Sequence, residues 1–304
     1  MGLLDGKTIL ITGGGNGIGK ATALMAGQMG ANVVVNDLGG TLTGDDAGDA
    51  GPAEAVAAEI RAAGGSAISN SDSVTDYEAV QEMIETAKKE FGGLDSVINP
   101  AGILRDKMFH KMSEDDWDAV IAVHLRGSFN VARASVEYFR DKEAGNYIFF
   151  TSTTGLIGNI GQANYAAAKL GIVGLSRIMA MEGARKNIRS NVIAPFAWTR
   201  MIASIPVTDE ASRIRVERMK NAMRPEQVSN LSLALCADSC DTSGQIFSVR
   251  GNEIILFSQP RPVKTMANLT GWTPESILDT CLPAMSSDME DLGPTTSVFP
   301  YDPV

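Results

Sequence analysis

Apolar residues run along this chain in two rhythms. Short runs are apolar at consecutive positions and rich in β-branched residues: "KTILIT" (7–12), "NVVVND" (32–37), "SAIS" (66–69), "LDSVIN" (94–99), "NYIFFTS" (146–152), "IRSNVIA" (188–194) and "GQIFSV" (244–249). That pattern marks strands covered on both faces. Between them, residues 17–29, 51–64, 75–91, 113–140, 163–186 and 225–236 carry helical periodicity. The alternation predicts an α/β fold, a doubly wound parallel sheet of about seven strands with helices on both sides. Such sheets take ligands beyond the carboxyl ends of their strands, at the switch point.

Three stretches break the rhythm. "LGGTLTGDDAGDAG" (38–51) is polar and glycine-rich, which predicts a long, mobile loop. Residues 196–224 read as irregular chain followed by a helix over "DEASRIRVERMKNAM". Residues 250–304 are rich in proline, serine and threonine, with a strand-like "EIILFS" and a helix opening at "TPESILDTC". The organisation expected is a main domain over 1–250 and an extension over 251–304, packed on that domain or on a neighbouring subunit.

Composition narrows the chemistry. Of 304 residues, 44% are hydrophobic, enough for a core. With 26 basic against 36 acidic residues, the net charge of −10 repels polyanions, so nucleic acid is not an expected partner. Cys236, Cys240 and Cys281 match no redox or metal spacing, and His110 and His124 are the only histidines, so no metal site is expected. No basic-then-apolar opening and no long apolar run is present, which predicts a cytoplasmic protein with no membrane partner.

"ILITGGGNGIGKATAL" (9–24) is a strand, a glycine turn and a helix start, an arrangement suited to a phosphate. It fits GxGxxG at no register. It nearly fits the NTPase phosphate loop, except that Ala21 stands where the magnesium-binding hydroxyl belongs. Asp37 ends the second strand, 18 residues after Gly19, where a carboxylate accepts the adenosine-ribose hydroxyls and repels the extra phosphate of NADP. NAD is therefore the expected cofactor.

The loop also fits Thr12-Gly13-x-x-x-Gly17-x-Gly19. With "NPAG" (99–102) and Tyr165-x-x-x-Lys169, the chain resembles the short-chain dehydrogenase/reductase family over roughly residues 5–250. "VVVNDLGG", "AGILRDKMF", "DWDAVIAVHLRGSF" and "GNIGQANYAAAKLG" resemble one branch more closely. That branch is the (3R)-hydroxyacyl-CoA dehydrogenase part of peroxisomal multifunctional enzyme type 2, with its standalone bacterial relatives. The resemblance implies a Rossmann-type fold and a cofactor site made by Gly13, Asn16, Gly17, Ile18, Gly19, Asp37, Asp72, Ser73, Asn99, Ala101, Gly102 and Thr199, with Tyr165 and Lys169. Asp72 and Ser73 compete with a helix-capping reading at even weight.

Four residues apart on a helix, Tyr165 and Lys169 share one face. A free tyrosine ionises near pH ~10, so a general base at neutrality needs its phenolate favoured by a nearby positive charge. The ammonium of Lys169 and the ring of the oxidised cofactor are the expected sources. By resemblance Lys169 also holds the nicotinamide ribose, and Ser152, 13 residues before Tyr165, bonds the substrate oxygen.

The chain departs from the wider family at Pro100, in place of a second asparagine, at Phe196, and at His124, which stands where a helix asparagine serves a proton relay. Arg213, Arg215, Arg218 and Lys220 form a basic patch, read as a solvated helix face rather than a CoA phosphate contact. The reaction expected is interconversion of a secondary alcohol and a ketone, foremost on a 3-hydroxyacyl-CoA. A hydroxysteroid (17-beta type) or steroid side-chain CoA dehydrogenase and a silent NAD-sensing module stand as alternatives. Family members are commonly dimers or tetramers, so a homo-oligomer is expected.

Overall fold

The computed structural model describes residues 2–45, 48–199 and 209–303, without the side chains of Ala211, Ser212 and Arg215. Among the described residues eight strands form one sheet: β1 (Thr8–Ile11), β2 (Asn32–Asn36), β3 (Ser66–Asn70), β4 (Ser96–Asn99), β5 (Gly145–Phe150), β6 (Ile188–Phe196), β7 (Ile246–Arg250) and β8 (Glu253–Phe257). Their order is β3-β2-β1-β4-β5-β6-β7-β8. All pairings are parallel except β7 with β8. The order reverses between β1 and β4, and the site lies at that switch point.

The consecutively apolar strands divide as a two-face sheet requires, since successive side chains point to opposite sides. Ile9, Ile11, Val33, Val35 and Ile98 join one core with α1 (Gly17–Gln28), α2 (Gly51–Ala62) and α8 (Pro225–Cys236). Leu10, Val34, Val97, Tyr147 and Phe149 join the other, with α3 (Tyr77–Phe91), α5 (Gly127–Lys142) and α6 (Ala163–Gly183). The helical pattern read at 113–140 resolves into α4 (Glu114–Ile121), a wide π turn (Ala122–Arg126) and α5. A further helix, α7 (Glu210–Ala222), precedes α8. Among the described residues no helix is long and apolar enough to cross a membrane.

The strand-like "EIILF" joins the expected sheet as its eighth strand, because Gly251 takes φ +61° in a two-residue turn and folds it back onto β7. The described residues of the 38–51 loop, read as mobile, make backbone hydrogen bonds to one another and to the segment after β4. Asp49 N donates to Leu38 O (2.8 Å) and Leu104 N to Leu42 O (2.9 Å). Beyond β8 the chain returns across its own body: Thr295 N donates to Gly158 O (3.2 Å), and the Phe299 and Phe196 rings meet edge to face at 5.4 Å.

Candidate active site

The chain leaves β1 through a turn that enters α1. Gly13 and Gly17 adopt φ +57° and +50° there, a region that side chains with a Cβ enter at a cost. A Cβ on Gly13 would lie 2.9 Å from Ala101 Cα, and one on Gly19 only 2.0 Å from Gly13 O. The N-cap residue Asn16 makes no side-chain capping bond to α1, and the first turn of the helix holds no acid. The uncapped amides and the positive end of the helix dipole therefore remain available to an anion. That cradle fits the pyrophosphate of a dinucleotide.

A cleft of about 420 Å³ runs from this loop to the start of α6. Gly13, Asn16, Gly17, Ile18 and Gly19 line it, as do Asp37, Asp72 and Ser73 at one end and Ala101, Gly102, Tyr165, Lys169 and Thr199 toward the other. Asp37 is fixed by two amides: Gly15 N donates to Oδ2 (2.8 Å) and Gly39 N to Oδ1 (2.7 Å). Asp72 accepts from Asn70 Nδ2 (2.6 Å), while its carbonyl accepts from Asn36 Nδ2 (2.8 Å). The cap of α3 is Asp76, which accepts from Glu78 N and Ala79 N, so the capping alternative for Asp72 and Ser73 is withdrawn. Asn99 does not line the cleft. Its buried amide sits behind the wall, accepting from Thr12 Oγ1 and donating to Ser128 Oγ (2.8 Å). Pro100 lines the cleft, and the amide after it, Ala101 N, donates to Thr12 Oγ1 (3.3 Å).

At the far end, Ser152 closes β5 and caps the short turn Thr153–Leu156, accepting from Thr154 N (3.1 Å). It also lies beside the phenol of Tyr165, where its hydroxyl favours the ionised form. Lys169, 4% exposed, donates from Nζ to Phe150 O (2.8 Å) and stands 5.4 Å from the Tyr165 ring centroid. Burial pushes the Lys169 ammonium down to about 7 and the Tyr165 phenol up to about 12, with the charge of Asp106 adding to the rise. In the unliganded protein desolvation of the ring outweighs the help it receives, which leaves the phenol protonated.

His124, on the π turn, is buried and stands edge-on to Tyr165, with ring centroids 5.1 Å apart. Its Nε2 is 2.8 Å from Ile103 O and 3.1 Å from Ile103 N. Nδ1 has no hydrogen-bond partner among the described residues. Burial, then the charge of Lys169, holds its pKa well below the ordinary histidine value, so the ring is neutral. Gly102 is required beside it, since a Cβ there would lie 2.2 Å from His124 Cε1.

The family model for short chain dehydrogenases matches residues 7–206. The chain belongs to the short-chain dehydrogenase family. It is 44% identical over 82% of its length to a putative short-chain type dehydrogenase/reductase of Mycobacterium tuberculosis, covering 83% of that protein. To peroxisomal multifunctional enzyme type 2 of Mus musculus it is 44% identical over 81% of its length, spanning 32% of the mouse enzyme. A hydroxyacyl-CoA dehydrogenase of M. tuberculosis is 36% identical over 91% of this chain and 88% of its own. Among solved structures, a short chain dehydrogenase from Mycobacterium avium superposes with a TM-score of 0.82 at 35% identity, covering 96% of this chain and 99% of that one. A 7 alpha-hydroxysteroid dehydrogenase complexed with NADH and 7-oxo glycochenodeoxycholic acid reaches 0.73 at 29% identity, covering 82% and 94%.

Some residues of this short-chain dehydrogenase escaped the sequence reading. Asn164 is fully buried beside Tyr165 and donates to Arg105 O (3.0 Å) and Asp116 O (2.8 Å). A poor helix former among alanines, directly before the tyrosine, was its visible signal. Thr41, Leu42 and Gly44 also line the cleft, from a stretch read only as loop. Residues 200–208, part of the stretch read as irregular chain, and the Arg215 side chain lie outside the described residues. Arg213 pairs with Glu210 and Glu217, and Arg218 with Asp302, as befits a solvated face.

Proposed function

We propose that this dehydrogenase interconverts a secondary alcohol and a ketone with NAD, its substrate a 3-hydroxyacyl-CoA. The observation that carries the reading is one cleft with a phosphate cradle and Asp37 at one end and Tyr165 and Lys169 at the other, with Ser152 beside the Tyr165 phenol. Asp37 supports NAD over NADP, since a second phosphate at the ribose would meet a carboxylate already fixed in place.

A bound dinucleotide supplies the hydride acceptor and, when oxidised, a positive charge. In the oxidation direction the alcohol O–H proton passes to the Tyr165 oxygen as hydride leaves the carbinol carbon. Ser152 donates to the substrate oxygen, and Lys169 holds ribose hydroxyls. In the reverse direction the neutral phenol, the form favoured by its burial, donates its proton to the carbonyl oxygen. The acyl-CoA assignment draws support from relatives named for that chemistry. The steroid reading draws support from the neighbour that holds a bile acid. Exposed Phe129, Leu170, Ile178 and Met181 on α5 and α6 support a homo-oligomer. A cytoplasmic setting and a division at residue 250 complete the proposal.

The test is NAD and NADP reduction with 3-hydroxyacyl-CoA thioesters of several chain lengths and with steroid alcohols. Turnover of the thioesters with NAD is expected. Turnover of steroids alone would replace the substrate class, and binding without turnover of any alcohol would replace the enzyme with a sensing module.

A further inference from the structure

We propose that Arg105 is a positioning residue that latches the segment after β2 onto the cleft and joins it to the catalytic helix. The proposal rests on the reading of the cleft as a dinucleotide site. Residues 38–44 have no regular structure, yet Leu38, Thr41, Leu42 and Gly44 form part of the cleft wall. A glycine-rich segment of this kind loses much freedom on being ordered, so something must hold it before a ligand arrives.

Arg105 supplies the hold with three edges of one guanidinium. Nε donates to Thr43 O (2.8 Å), one terminal nitrogen to Asp45 Oδ1 (2.7 Å) and the other to Asp115 O (3.3 Å). The side chain is 17% exposed, against 66% for Asp45. Next to it, Leu104 N donates to Leu42 O (2.9 Å), and Gly44 packs where a Cβ would lie 3.2 Å from Ile103 Cδ1.

The same residue is held from the opposite side. Its carbonyl accepts from Asn164 Nδ2 (3.0 Å), which also donates to Asp116 O (2.8 Å), while Asn164 Oδ1 accepts from Tyr165 N (2.8 Å). One end of Arg105 therefore grips the wall near Asp37, and its backbone is fixed to the first turn of α6. A planar fork with fixed donor directions can meet all three acceptors at once, which a single ammonium cannot.

The experiment compares Arg105→Met, Arg105→Lys and Asp45→Asn, with NADH as the probe. Arg105→Met should raise the NADH Kd about tenfold while kcat at saturating cofactor stays within about twofold, the split expected of lost ordering rather than lost chemistry. Arg105→Lys should fall between that variant and wild type. Asp45→Asn should raise Kd by about threefold, and adding it to Arg105→Met should change nothing further, as for members of one network. An unchanged Kd in Arg105→Met, or additive effects in the double variant, would overturn the latch. If Arg105→Met fails to fold, Arg105→Lys and Asp45→Asn decide in its place: raised Kd values support the latch, and unchanged ones overturn it. If the wild-type protein binds no NADH, it is the functional reading that fails. Hydrogen exchange of the amides at 38–45 in the unliganded protein then decides the latch: faster exchange in the variants supports it, and unchanged exchange overturns it.

Discussion

Replacing Lys169 by methionine is predicted to make the unliganded protein more stable at neutral and acid pH while removing its activity. The native ammonium is buried at 4% exposure, and its pKa is depressed from 10.5 to about 7. The unfolded chain thus binds this proton more tightly than the folded one. Stability rises with pH between the two values and is flat below the lower one. At about 1.4 kcal/mol per unit, the charge costs the fold roughly 4–5 kcal/mol near pH 6 and only about 1–1.5 kcal/mol at pH ~9.5. Methionine removes that penalty but orphans the Phe150 carbonyl, which costs about 1–3 kcal/mol at every pH. The net expectation is a variant more stable by about 1–4 kcal/mol near pH 6, an advantage that shrinks by about 3 kcal/mol toward pH ~9.5. His124 is neutral through this window and Tyr165 stays protonated, so neither mimics the trend. Urea denaturation of both proteins without cofactor, at three or four pH values, reads it directly. A stability difference that varies by less than about 1 kcal/mol across the range would refute the reasoning.

Tyr165→Phe should lower turnover by at least ~10²-fold with NADH affinity nearly intact; a rate above about a tenth of wild type would remove the phenol as proton carrier. Asp37→Ala should erase most of the preference for NAD over NADP in steady-state kinetics, and should weaken binding of both because Gly15 and Gly39 lose their acceptor. Gly19→Ala sets a methyl against Gly13 O, and should cost about 1–3 kcal/mol in thermal or chemical unfolding while abolishing dinucleotide binding. Wild-type NADH affinity in that variant would remove the loop as the cradle.

The strands were legible because residues such as Ile9, Leu10 and Ile11 are apolar in succession, a pattern that follows from burial on both faces. The glycine loop and the Tyr165–Lys169 pair were legible because close backbone approach and helical spacing are local properties. β8 was harder to place. Its residues alternate between half-buried and exposed, and only the Gly251 turn decides that it pairs with β7. Asp76 outranks Asp72 as a cap only once the start of α3 is known. The charge state of the Tyr165–Lys169 pair was illegible for a different reason. Residue spacing says which groups share a face, but the low dielectric around them is made by chain distant in sequence.

The widened turn at 122–126 has a bearing on how this chain is compared with others. One extra residue per loop of backbone means that positions before and after the bulge keep different phases about a common axis. An alignment that runs an uninterrupted heptad-like register from Glu114 to Lys142 would rotate one half by ~100° against the other. His124 would then be assigned a direction ~100° away from the one it takes here. Shortening the bulge by one residue would be the most economical way to swing that imidazole out of the pocket without altering any residue that touches it.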